Sequence, residues 1–401
     1  VNGALLLSED RVLSWSSDKT VRLWNSKSGV CLSILTGHTG GVTGALLLTN
    51  GQILSWSGDA TLRLWDKTNG ACLAVLKGHR KAIQGACQLP NGRILSWSSD
   101  ATLCLWDETN GDFLFFMDEV FGVVPLPDGR ILSWSWDNTV CLWDDSIESC
   151  LTVFKGHTKV VNGALALAGG RILSWSEDAT LRLWDAETGN CLTVLEGHKS
   201  AAQGARELSD GRILSWEDAT LRLWDPDTGM CLAVLEGHKD AIQGALTLAN
   251  NQILSWSWDA TLRLWSADTG ACLTVLEGHT GEIGGVLPVG EGRILSWARS
   301  EDDATIRLWD ASTGTCSAVL MGHSGWVMGA LLLPDGCILS WSWDWTLRLW
   351  GDTHMTSHEA TEAHTNYVWG ALSFPDRRIL TTSVDTTLRL WDATTGTCLA
   401  V

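Results

Sequence analysis

At 401 residues the chain is long enough for two or three ordinary domains or one large repetitive one, and 45% hydrophobic residues supply a core and exclude wholesale disorder. A net charge of −18 with no segregated basic patch argues against nucleic acid or an anionic membrane as partner, and no apolar run approaches the length of a spanning helix. Twenty-five tryptophans, far more than an average composition supplies, point to a repeated structural use.

Read in chain order, the string ILSWSGDATLRLWD around Trp56 returns as ILSWSSDATLCLWD at Trp97 and ILSWSWDATLRLW at Trp256. Its first Trp also recurs at Trp15, Trp134, Trp175, Trp216, Trp297 and Trp341, with Thr382 in the last copy. Its second Trp is present in every copy from Trp24 to Trp391. Such a period marks a repeat architecture, here of ten units at about 1–36, 37–77, 78–117, 118–155, 156–196, 197–236, 237–277, 278–321, 322–362 and 363–401. In the second unit the pattern predicts strands at Val42–Leu48, Ile53–Ser57, Thr61–Trp65 and Cys72–Leu76. Asn50–Gly51, the turn holding Asp59, and Asn69–Gly70 separate them. No stretch carries the 3.6-residue stripe of a helix, so the fold is all-β.

A Gly-His pair such as Gly78–His79, a strand ending Ser-x-Ser-x-Asp and a strand ending Trp-Asp, at a period near 40, resemble the WD40 β-propeller family along the whole chain. The resemblance implies four-stranded antiparallel blades arranged radially, innermost strand first, serving as a rigid platform for other proteins. The usual ring has seven blades. The expectation here is one closed ring of ten, at about 36° per blade rather than about 51°, with seven blades plus three surplus ones as the alternative. A start without Met and a stop inside an outer strand suggest a segment excised from a longer protein.

The resemblance also implies a buried hydrogen-bond chain in each blade, from the third-strand Trp through a second-strand Ser to His and the turn Asp. The sets are His38, Ser55, Asp59 and Trp65; His79, Ser96, Asp100 and Trp106; His157, Ser174, Asp178 and Trp184; His238, Ser255, Asp259 and Trp265; and His323, Ser340, Asp344 and Trp350. Ser, His and Asp together also suit a hydrolase, but a constellation repeated in blade after blade, with no G-x-S-x-G, is structural, and no catalytic residue is assigned. Three blades depart from the pattern. Blade 4 lacks the Gly-His pair around Met117–Asp118, blade 6 has lost a residue between Ser215 and Asp218, and blade 8 has gained three at Arg299–Asp302.

Six tryptophans fall outside the repeat: Trp136, Trp258, Trp326, Trp343, Trp345 and Trp369. They stand just before or after the turn Asp, or three or five residues after the His, where members of the family touch partners. Tyr367, Met328 and Phe121 occupy equivalent slots, and Glu177, Glu217, Glu282 and Asp302 are expected on the same rim. Clustered aromatic and Met side chains bring large contact area at low entropic cost. Carboxylates beside them favour a protein or peptide partner carrying Lys or Arg and apolar side chains. The competing expectations are a purely architectural scaffold and a small-ligand binder or enzyme in the channel.

Most cysteines begin fourth strands, one per blade, and read as free thiols in a reducing cytoplasm. There is no C-x-x-C, and His354 and His358 lie in a divergent stretch; no metal and no cofactor are expected. The near-identity of the repeats resembles the sensor arrays of large bacterial signalling proteins, which implies a role in recognition on behalf of an attached effector.

Overall fold

The computed structural model describes residues 1–8, 10–145, 149–248, 251–290, 292–333, 335–351, 357–359 and 364–401, with backbone alone for the 116 and 357–359 positions. Every described element is a strand. Forty strands form ten four-stranded antiparallel sheets, each made of four strands consecutive in sequence. In blade 2 they are Val42–Leu47, Ile53–Ser57, Thr61–Trp65 and Cys72–Lys77, within a residue of the sequence expectation.

Two apolar faces per sheet cannot be buried by one blade alone, and the solution is lateral stacking. Each interface between successive blades holds its own core. Between blades 2 and 3, Leu54, Leu62, Leu64 and Leu76 meet Ile83, Ile94 and Trp106. The last core closes the circle: Val1 and Val12 of blade 1 pack on Phe374, Leu380, Leu388 and Leu390 of blade 10. The Val1 amino group donates to the Ser383 carbonyl at 2.6 Å, and Arg378 donates to the Ser26 carbonyl across the same seam. The chain is therefore one ring of ten blades, and the seven-plus-three alternative is excluded.

The two tryptophans of the repeat have different jobs. The third-strand Trp is fully buried in most blades and caps the core shared with the preceding blade. The second-strand Trp lies opposite a glycine of the first strand, as Trp56 does with Gly44, and its ring covers the space a side chain would take. A Cβ on Gly44 would sit 2.1 Å from Trp56 Cζ2. Blade 10 relaxes both halves of this pair: Thr382 replaces the Trp, and a Cβ on Gly370 meets nothing nearer than Thr382 Oγ1 at 3.8 Å.

That difference generates a prediction. Gly44→Ala forces Trp56 out of its rotamer and costs roughly 1–3 kcal/mol, whereas Gly370→Ala stays within about 0.5 kcal/mol. Chemical denaturation of the two variants measures the contrast, and equal losses would refute the steric account.

Candidate functional site

The sequence places Ser on the second strand and Trp on the third as diagonal neighbours on one face of the sheet, Ser55 pairing with Arg63 and Trp65 with Ile53. Trp65 Nε1 donates to Ser55 Oγ at 2.8 Å, and the Ser55 hydroxyl meets His38 Nε2 at 2.8 Å. His38 Nδ1 lies 3.0 Å from Asp59 Oδ2, which also accepts the Thr39 amide at 2.7 Å. The same chain is built at His157, Ser174, Asp178 and Trp184, at His238, Ser255, Asp259 and Trp265, and at His323, Ser340, Asp344 and Trp350. Blade 3 varies it. His79 Nδ1 meets Thr102 Oγ1 at 2.7 Å and stands 3.6 Å from Asp100, while Ser96 still joins His79 to Trp106.

These partners fix the tautomer: Nδ1–H faces the carboxylate and Nε2 accepts from serine. Burial lowers the pKa of His38, His157 and His238, against the opposing pull of the Asp hydrogen bond. Burial by itself would raise Asp178, but bonds from Thr180, the Thr158 amide and His157 outweigh it and bring the carboxyl down to about 2. A neutral His locked between a serine and an ionised Asp, repeated around the ring, ties the turn of each blade to the loop that carries the His.

The three departures resolve individually. In blade 6, Glu217 is not a rim residue as its slot suggests: it is buried, 4% exposed, and does the work of the turn Asp. With one residue lost from the turn, the longer side chain spans the gap, accepting the Lys199 and Ser200 amides at 2.8 and 2.6 Å and facing His198 at 3.3 Å. In blade 8 the three-residue insertion leaves Asp303, not Asp302, on His279 at 2.9 Å, and Asp302 stays exposed. In blade 4 the Met117 thioether stands 4.0 Å from Ser133 Oγ where other blades present an imidazole. In blade 1, Ser14, Asp18 and Trp24 line a cavity of about 190 Å³, into which Arg22 turns to pair with Asp18 at 3.1 Å.

The surplus aromatics divide into three groups. Trp326 and Trp343 stack at 4.4 Å with planes 9° apart, and Trp343 continues onto Tyr367 of blade 10 at 5.0 Å. Trp326 and Trp343 are half-buried; Trp345 and Trp369 are 47% and 50% exposed, and Met328 is half-buried. On blade 4, Phe121 and Trp136 are both exposed and lie 6.0 Å apart. Trp258 borders a cleft of about 470 Å³ shared by blades 7 and 8, together with Gln243, Trp256, Glu282, Trp297 and Arg299. Glu177 is exposed on blade 5. Residue 354 lies outside the described residues, and so does the side chain at 358; among the described residues no cluster of metal-ligating side chains occurs.

With this geometry in hand, the repeat has relatives. The family described as "WD domain, G-beta repeat" matches residues 29–66, 70–107, 148–185, 229–266, 270–310, 314–351 and 356–392. The chain belongs to the WD40 family. Each matched segment joins the outermost strand of one blade to the three inner strands of the next, so the family's unit of sequence straddles two blades of the ring. Among solved structures, the computationally designed Ika8 protein superposes with a TM-score of 0.54 at 25% identity, over 79% of this chain and 98% of its own. The C-terminal WD40 domain of Sif2 shares the fold at 18% identity, TM-score 0.51, over 72% and 90%. A 34-residue stretch is 50% identical to mitogen-activated protein kinase kinase kinase A of Dictyostelium discoideum, covering 8% of this chain and 4% of that protein. WD40 propellers are typically protein-interaction scaffolds, generally non-catalytic. Among the described residues no helix is long and apolar enough to cross a membrane.

The hydrogen-bond chains give the WD40 ring a pH dependence. Unfolded histidine takes up protons near pH 6.5, whereas the buried rings of His38, His79, His157, His198, His238 and His364 stay neutral to lower pH. Asp100 and Glu217 are likewise held at about 2: burial would raise each, but hydrogen bonds (from Thr102 and the Arg80 amide to Asp100, from the Lys199 and Ser200 amides to Glu217) outweigh it. The unfolded state therefore binds more protons in both ranges, and stability falls as pH falls. Thermal melts should be flat above about pH 7.5, drop as pH passes about 6.5, and steepen near 4. A melting temperature that rises between pH 7.5 and 5.5 would refute this.

Proposed function

We propose that the ring is a non-catalytic recognition platform, binding a peptide or protein segment on the face that carries the surplus aromatics of blades 9 and 10. The observation that carries this reading is the backbone of Trp345. It sits in the left-handed region, φ 72°, where the matching turns of four other blades place Ala. A bulky side chain there is strained, and its ring is half in solvent rather than sealing the core. Neither property serves stability. Beside it, the stack of Trp326 and Trp343 keeps two indole N–H groups buried with no acceptor among the described residues, which again costs rather than contributes stability.

On this reading Trp326, Trp343 and Met328 form the floor, and Trp345, Tyr367 and Trp369 the contact surface. Trp258, Trp136 and Phe121 extend it around the face, with Glu177, Glu282 and Asp302 supplying negative charge. Glu217, buried in its hydrogen-bond chain, is left out. The segment recognised carries Lys or Arg for the carboxylates and indole faces, and apolar side chains for the floor. The ring would serve as the sensor of a larger cytoplasmic signalling protein.

A displayed random peptide library selected on the intact chain should enrich sequences with Lys or Arg next to aliphatic residues. Trp345→Ala and Trp369→Ala should each weaken the selected peptides at least about tenfold, with melting temperature unchanged or raised for Trp345→Ala. Selected peptides that bind both variants as well as the parent would overturn the assignment.

A further inference from the structure

Blade 8 differs from the other blades at two neighbouring points of the face, and together they open the cleft it shares with blade 7. The first-strand position of Thr43 carries Asn, Thr, Gln, Met or an aromatic elsewhere in the ring, but in blade 8 it is Gly284. Two residues past the second-strand Trp stands Arg299, where blade 7 has Trp258. Both hold the same place: the Trp258 amide donates to the Ala241 carbonyl at 3.0 Å, and the Arg299 amide to the Glu282 carbonyl at 2.8 Å. Side chains from the Glu282 and Arg299 positions leave the sheet side by side, as blade 9 shows by stacking Trp326 on Trp343 there. In blade 8 that pair is an anion and a cation, both exposed, yet neither charged group makes a hydrogen bond or ion pair among the described residues. Arg299 instead lies along the first strand: a Cβ on Gly284 would stand 2.9 Å from its Cβ and 3.4 Å from its Nε. The glycine leaves room for the arginine and for the cleft of about 470 Å³, which Trp258 and Gln243 border from blade 7.

We propose that this cleft binds a free α-amino acid with a large apolar side chain, its α-carboxylate on Arg299, its α-ammonium on Glu282 and its side chain against the Trp258 indole. The two α-groups hang from one carbon, so their partners must stand next to each other, as neighbouring cross-strand residues do. A dicarboxylate meets Glu282, a diamine meets Arg299, and a chain of net charge −18 repels simple anions. The zwitterion satisfies both groups and carries no net charge. Trp258, 46% exposed, offers an indole face to the side chain, and the exposed Gln243 beside it adds an amide. The cleft, at about 470 Å³, falls within the range of about 300–1,000 Å³ found for small-ligand sites. The proposal does not rest on the peptide reading, which is centred on blades 9 and 10, and either can fail without the other.

Isothermal titration of the intact chain with L-phenylalanine and L-leucine tests this. Saturable one-to-one binding is expected, with N-acetyl-L-phenylalanine and L-phenylalaninamide, which each lose one charge, at least about tenfold weaker. Arg299→Met should weaken L-phenylalanine by about tenfold or more and leave L-phenylalaninamide nearly unaffected, since the amide never used the guanidinium. Gly284→Ala, which displaces the Arg299 side chain, should weaken L-phenylalanine in the same direction. The Arg299 side chain is exposed and makes no bond, so Arg299→Met should melt as the parent does. Three results would each overturn the proposal: no saturable binding of either amino acid up to about 10 mM, equal affinity for the free acid and the amide, or equal affinity of Arg299→Met and the parent.

Discussion

One hydrogen bond is made in all ten blades: the indole N–H of the third-strand Trp donates to the second-strand hydroxyl, at 2.8–2.9 Å from Trp24 on Ser14 to Trp391 on Thr381. It survives the missing histidine of blade 4, the shortened turn of blade 6 and the lengthened one of blade 8. The Trp must be buried because its ring closes the core against the preceding blade, and a buried N–H without an acceptor is costly. The hydroxyl is therefore fixed, and the histidine, the turn carboxylate and the loop amides assemble on it. What varies between blades is how the far end of the chain is finished.

This order of priorities explains why the ring tolerates irregularity. Each blade contacts only its neighbours, so an altered turn is absorbed locally and the ten cores remain separate units. Glu217 shows how: a lost residue is offset by one extra methylene on the carboxylate that must reach the same amides. Such tolerance suits the proposed recognition role, since the loops beyond the turn can accept Trp345 in a strained backbone without disturbing the Trp–Ser bond beneath.

Much of the molecule was legible in one dimension. Strand count and strand bounds follow from a period near 40 residues and from two-residue alternation, both local properties, whereas the pairing of His with Ser followed from the resemblance to the WD40 family. The proposed contact face was harder to read. Slot position alone put Glu217 on the rim, because the shortened turn hid which carboxylate takes the buried place. The stack of Trp326, Trp343 and Tyr367 joins two blades, and no spacing within one repeat announces it.

The sequence by itself determined a β-propeller of ten WD40 blades, because each blade is specified by its own residues and repeats with little change. Only the tertiary structure decided that the ten close into a single ring. Closure depends on a small rotation at every interface adding to a full turn, so that Val1 and Val12 meet Phe374 and Leu380. That sum is a property of the packed whole, set by side-chain volumes across ten interfaces, and no single repeat carries it.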